Sequence, residues 1–146
     1  YYDARGDREG NDPAVPNSQW RFLAGYQFQP WKDGTVGIQA YGEVMKDIQA
    51  YRRSVPAESP VQDRVRGVLS VRLTQMLRYQ IWRPSVFVAY SPTDRDFFLR
   101  PELGYKLTEN LSFTFGANRF GGATATTFFG QFKKDNNLFL NVRFDF

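Results

Sequence analysis

The sequence predicts an all-β chain, an antiparallel up-and-down transmembrane β-barrel, and three observations carry that prediction. Apolar and polar residues alternate with a period of two from Ser18 to the terminal Phe146, as in a strand whose successive side chains point to opposite faces. Runs such as 18–30 and 65–78 exceed the ~5 to 6 residues of ordinary strands and reach the ~9 to 11 needed to cross a bilayer at a tilt. The apolar rows hold more than thirty side chains, many of them Phe, Tyr and Trp. They are too many and too large for the interior of a small soluble barrel of the lipocalin kind, which closes around its own side chains or one small ligand.

The first run sets Trp20, Phe22, Ala24, Tyr26, Phe28 and Pro30 against Arg21, Leu23, Gly25, Gln27 and Gln29. Lys32-Asp33-Gly34 then reverses the chain. In the second run Val36, Ile38, Ala40, Gly42 and Val44 oppose Thr35, Gly37, Gln39, Tyr41 and Glu43. From Lys46 to Val55 the apolar face fades and charges appear, which predicts a strand projecting into water, followed by a loop at Pro56 to Asp63. The third run places Val65, Gly67, Leu69, Val71, Leu73 and Leu77 opposite Arg66, Val68, Ser70, Arg72, Thr74, Met76 and Arg78, with Gln75 as the polar intruder on the apolar side.

A link near Tyr79 leads to Trp82, Pro84, Val86, Val88 and Tyr90 opposite Arg83, Ser85, Phe87 and Ala89, ended by Ser91-Pro92-Thr93-Asp94. The fifth run sets Phe97, Leu99, Pro101, Leu103, Tyr105 and Leu107 against Phe98, Arg100, Glu102, Gly104 and Lys106. After Thr108-Glu109-Asn110, Leu111, Phe113, Phe115 and Ala117 oppose Ser112, Thr114, Gly116 and Asn118. A loop from Gly121 to Asn136 precedes the last run, Leu138 to Phe146. Seven strands and no helix are predicted. Pro84 and Pro101 each remove a ladder donor, so bulges or fraying are expected there.

The face opposite the apolar rows predicts a wet lumen lined by Arg21, Gln39, Glu43, Arg66, Arg72, Arg83, Arg100, Glu102, Lys106, Arg143 and Asp145. Trp20, Trp31, Trp82, Tyr90, Tyr105 and Phe146 lie near the ends of the apolar rows, where an interfacial aromatic girdle belongs. Short turns at 32–34, near Tyr79 and at 108–110 alternate with longer connections at 56–63, 91–96 and 121–136. That parity places the C-terminus on the periplasmic side and Ser18 outside.

Composition narrows the function. The chain has 146 residues, with 19 Lys+Arg against 15 Asp+Glu for a net +4, and neither His nor Cys. Ser-His-Asp and Cys-His catalysis, ordinary structural zinc sites and disulfides are therefore excluded, and lumen carboxylates such as Glu102 and Asp145 read as counter-ions of Arg, not as a catalytic pair. The expectation is a protein that is not an enzyme, holds no cofactor or metal and binds no nucleic acid. Absence of Cys also suits passage through an oxidising compartment.

The ending Leu138-Phe139-Leu140-Asn141-Val142-Arg143-Phe144-Asp145-Phe146 resembles the C-terminal signal of Gram-negative outer-membrane barrels, with alternating apolar residues, an aromatic third from the end and a terminal Phe. The resemblance implies insertion into the bacterial outer membrane by the barrel-assembly machinery, with Asn141, Phe144 and Phe146 as signal positions; Asn141 stands where Gly is usual, and Phe139 where a polar residue is common. The stretch from Asp94-Arg95-Asp96 through Thr127-Phe128-Phe129-Gly130-Gln131-Phe132 to the end, about a third of the chain, is similar to the C-terminal part of large porin-like proteins.

Seven strands are odd where a bacterial barrel has an even count. At least one more strand is required for closure, from an irregular strand in 1–17 or, as favoured here, from the rest of a larger barrel in which 1–17 is an extracellular loop and 18–146 are barrel strands. The partners implied are outer-membrane lipid, the assembly machinery and the remaining strands, of the same protein or of another chain. The leading functional expectation is a porin-like channel for passive passage of small solutes, anionic ones among them. The alternative is a closed structural or scaffold barrel that encloses or binds a partner protein. The 121–136 loop, with Phe128, Phe129, Phe132, Lys133 and Lys134, has three expected roles: an inward constriction, an outward receptor surface, or packing on the rim.

Overall fold

Strands form wherever the two-residue period is sustained, and the sheet follows from their order. A computed structural model describes Asp12, residues 17–56, Val61 and residues 63–146; apart from Asp12 and Asn17, the segment 1–17 lies outside the described residues. The strands are β1 (Gln19–Phe28), β2 (Gly34–Met45), β3 (Val65–Gln75), β4 (Trp82–Ser91), β5 (Asp96–Lys106), β6 (Leu111–Gly122) and β7 (Asn137–Phe144). They make one antiparallel sheet in sequence order, a seven-strand meander. Among the described residues it is not closed: β1 and β7 are its edges, and with an odd number of antiparallel strands they run in the same direction.

Register carries the alternation across the whole sheet. The pairs Tyr26↔Ile38, Ile38↔Val71 and Val71↔Val88 continue one apolar row, and Leu103↔Phe115 and Phe115↔Leu140 continue another. Every strand thus turns its apolar row to the same face. No second layer covers that face, since the only buried hydrophobic residues among those described are Val36, Met45 and Ala89. Phe22 is 59% exposed, Phe144 63% and Leu138 72%.

At short-turn connections the chain is tightly organised. Asp33 takes φ 60 in the β1–β2 turn, and Gly34 N–H donates to Trp31 O at 3.2 Å. A Cβ on Gly34 would overlap the Trp31 ring, so glycine is what lets that indole fold back onto the sheet. Its Nε1–H donates to Gln75, which explains the polar intruder: Gln75 ends β3 and satisfies the indole at the rim of the apolar face. Arg78, Tyr79 and Gln80, at φ 48, 59 and 70, form the β3–β4 turn, so Arg78 leaves the charged strand face on which alternation had put it.

Three other expectations are corrected. The charged extension at 46–55 is not strand: α1 (Ile48–Ser54) occupies it. Beyond Met45 the apolar residues Ile48, Tyr51 and Val55 recur every three to four positions, the helical spacing, and Tyr51 N–H already donates to Asp47 O at 3.1 Å. A 3₁₀ turn (Gly130–Phe132) also stands where no helix was expected. The β4–β5 connection shrinks to 92–95 because β4 and β5 extend to Ser91 and Asp96, and β6 runs on to Gly122. Long connections at that end of the sheet are therefore two, 46–64 and 123–136.

Prolines interrupt the ladder without shifting it. Pairing of β3 with β4 lapses between Thr74↔Ser85 and the Leu77↔Trp82 bridge, beside Pro84; that of β5 with β6 lapses between Leu99↔Arg119 and Glu102↔Gly116, beside Pro101. Register is the same on both sides of each gap, so the result is fraying, not a bulge. Pro101→Val is expected to restore the β5–β6 bond and to stabilise the protein by ~0.5 to 1.5 kcal/mol, read by denaturant unfolding and by protection of the new amide from hydrogen exchange.

Candidate functional site

Odd-numbered positions of β1, β2 and β7 and their partners build the face opposite the apolar rows. Arg21, Gln39, Glu43, Arg66, Arg72, Arg83, Arg100, Glu102, Lys106 and Arg143 all fall on it by register, and Asp145 joins it through Arg143. The predicted lining residues therefore share one surface. They do not converge on one point, but form three groups along the strands.

At the end with the long connections, Arg66 is held by carboxylates on two sides. Its Nε donates to Asp94 Oδ2 at 2.7 Å and its Nη1 lies 3.8 Å from Glu43 Oε1. Tyr41 O–H donates to Glu43 Oε2 at 2.7 Å, and Gly67 N–H donates to Thr93 Oγ1 at 3.2 Å. The Arg66 guanidinium stacks 4.7 Å from the Phe128 ring centre, and Phe128 belongs to the β6–β7 connection. That connection therefore reaches back over β5 and β4 to β3.

Several bonds hold it in that position. Asp96, fully buried at the start of β5, accepts Phe129 N–H on Oδ2 at 2.6 Å. The Phe129 ring lies 6.2 Å from Phe98, Phe132 lies 5.5 Å from Phe120, and Phe98 stacks on Phe120 at 4.7 Å. Phe120 N–H, beyond the start of β7, donates to Asn136 Oδ1 at 2.7 Å. Phe128, Phe129 and Phe132 rest on Arg66, Phe98 and Phe120, so the loop lies folded onto the charged face of the sheet.

In the middle of the face Arg100 Nη2 lies 2.8 Å from Glu102 Oε1 and its guanidinium sits 4.9 Å from the Phe139 ring, while Arg72 rests 5.2 Å from Phe87. Ser85 O–H donates to Glu102 Oε2 at 3.4 Å. A Cβ on Gly116 would overlap Phe139, so the bare backbone there lets the ring lie flat against the sheet. Toward the short turns, Arg83, Lys106, Ser112, Thr114, Asn141 and Arg143 surround a recess of about 510 Å³, and Arg143 pairs with Asp145 at 2.9 Å. Among the described residues no carboxylate lies within ion-pair distance of Arg72, Arg83 or Lys106. The three positions expected from the C-terminal resemblance separate by face: Asn141 looks to the charged side, Phe144 to the apolar side, and Phe146 is fully exposed past the end of β7.

Two features escaped the sequence. Phe87, Phe98, Phe120 and Phe139 form ring contacts with each other, with arginines and with the loop, although alternation assigns them to a polar surface. Arg119 stands on the apolar face opposite Leu99, three residues before the end of β6, where its long side chain can carry the charge beyond the apolar rows. Among the described residues there is no cluster of metal-ligating side chains, and no helix is long and apolar enough to cross a membrane.

Comparison with protein families and with curated proteins finds no match. The class defined by the fold is an all-β, seven-strand antiparallel meander with one apolar and one charged face.

The Asp96 carboxylate is the loop's main polar anchor. Asp96→Ala is expected to raise the hydrogen-exchange rate of the Phe129 amide by about ten- to a hundredfold, the equivalent of ~1.5 to 3 kcal/mol for a bond to a charged acceptor.

Proposed function

We propose that this chain forms part of a bacterial outer-membrane β-barrel channel, a porin-like conduit for small solutes, anionic ones among them. The observation that carries the reading is the uncovered apolar face of all seven strands. Burying a Leu or Phe is worth ~1.5 to 3 kcal/mol, so a face of this size left in water forfeits more than the ~5 to 15 kcal/mol by which a protein is stable. Hydrocarbon covers such a face without requiring a second protein layer.

Dimensions support the same reading. A twelve-residue strand such as β2, at ~3.3 Å per residue and tilted by ~40°, spans about 30 Å, enough for an apolar band ~25 Å tall. Trp31 over Gly34, and Trp82 with Tyr105 at a ring separation of 4.5 Å, supply aromatics at the short-turn rim; Trp20 and Tyr90 do so toward the other. Backbone groups at the β1 and β7 edges would cost several kcal/mol each if left open in lipid. Because those edges run in the same direction, closure by antiparallel pairing takes an odd number of further strands. We assign these to the rest of a larger barrel.

The charged face would then line a wet lumen, with Arg72, Arg83 and Lys106 as cations that no carboxylate among the described residues neutralises, a lining that favours anions. The inward loop keeps a second reading in view: a barrel occluded by 123–136 that serves as a scaffold.

Conductance decides between the two. Full-length protein in planar bilayers is expected to give steady single-channel steps with anion preference, and Arg83→Glu to shift the reversal potential toward cations. Steady silence of well-folded protein would instead favour the occluded scaffold. Independently, Leu140→Arg, on the apolar face, is expected to cost ~2 to 4 kcal/mol of stability in vesicles, whereas Asn141→Arg next to it should cost less than about 1 kcal/mol.

A further inference from the structure

The arginines of the charged face are not equivalent. Arg66, Arg100 and Arg143 each have a carboxylate within 4 Å, so each is balanced locally by an opposite charge. Arg72 has none among the described residues; its guanidinium rests on the face of Phe87 and donates no hydrogen bond there. A guanidinium presents five N–H donors in a planar fork that matches a carboxylate in bidentate fashion.

Beside Arg72 the sheet surface is hollow. Gly37, its register partner on β2, has no heavy atom within 4 Å of the point where a Cβ would stand. Gly25 is the next glycine on the same face, and the Gln39 side chain lies across it, 3.0 Å from its Cβ position. The result is a recess of about 430 Å³ with a bare backbone floor at Gly37, Phe87 and Arg72 on one side, and the neutral polar groups of Gln27, Gln39 and Ser70 around it. That volume falls within the ~300 to 1,000 Å³ of small-molecule sites.

We infer that this recess is a binding site for monocarboxylates with a flat, apolar body, the class of aromatic carboxylates. The carboxylate would pair with the fork of Arg72 and take further donors from Gln39 and Ser70, while the body lies on the glycine floor beside Phe87. One uncompensated positive charge suits one negative charge. A flat floor beside an aromatic ring suits a planar body better than a bulky one. The inference names a solute class for the channel proposed above, and rests on that proposal in needing the charged face to be wet.

The test uses full-length protein in detergent micelles, with benzoate as the probe and acetate and benzyl alcohol as controls that lack the body or the charge. Binding is read by saturation-transfer NMR and titration, and channel activity by single-channel steps in KCl alone. Benzoate is expected to bind at least tenfold more tightly than either control. Arg72→Gln and Gly37→Leu should each weaken it tenfold or more, and Arg72→Lys should fall between Gln and wild type. A side chain at Gly37 meets open space, so that variant keeps the sheet, which its β-sheet circular dichroism checks.

Benzoate binding no tighter than acetate, or unchanged in Gly37→Leu, overturns the site. If KCl steps persist in that case, the channel reading stands alone. Benzoate binding that depends on Arg72 and Gly37 in a protein without steps upholds the site and overturns the channel.

Discussion

The structure depends on an apolar surface for which the described residues supply no cover. Folding ordinarily gains most of its stabilisation by packing one layer on another, and here there is one layer, with three buried hydrophobic residues among those described. Pairing along the ladders supplies the internal order: every strand is antiparallel to its neighbours and the register never slips, even across Pro84 and Pro101. A slip of one residue would send every aromatic of a strand to the charged side. The same constraint explains why Gln75 and Arg119, the polar residues on the apolar face, stand near strand ends, where one meets the Trp31 indole and the other is long enough to reach past the edge.

The charged face obeys a different rule. It mixes arginines with rings, and each pairing fixes a side chain that would otherwise be mobile: Arg66 between Asp94, Glu43 and Phe128, Arg100 between Glu102 and Phe139. The Phe98–Phe120 stack gives the β6–β7 connection an apolar seat on a surface that is otherwise polar, and the buried Asp96 adds a directional bond. Stacking and the Asp96 carboxylate together seat the loop over β3 to β6. Among the described residues, Arg72, Arg83 and Lys106 have no carboxylate within ion-pair distance.

Strand identity and facing were legible in the sequence because a period of two is a local signal, repeated seven times. The predicted lining residues fell on one face for the same reason. Helix α1 was not legible: Ile48, Tyr51 and Val55 give only two turns' worth of helical spacing, adjoining a strand whose pattern fades without a break. Nor was the folding-in of 123–136, because its seat is made by Phe98 and Phe120, neighbours only through pairing across strands. Which arginines find a carboxylate likewise depends on contacts between residues far apart in the chain, as in Arg66 with Asp94. Among the described residues the sheet stays open, with β1 and β7 as its edges.

Orientation of the two faces is the claim on which the functional account stands, and spin-label accessibility measures it directly. Nitroxides placed singly at Phe115 and at Arg72, in full-length protein reconstituted into lipid vesicles, can be relaxed by oxygen, which concentrates in hydrocarbon, or by a water-soluble nickel chelate. The account requires oxygen to dominate at 115 and the chelate at 72. Chelate dominance at 115 with oxygen dominance at 72 would contradict it.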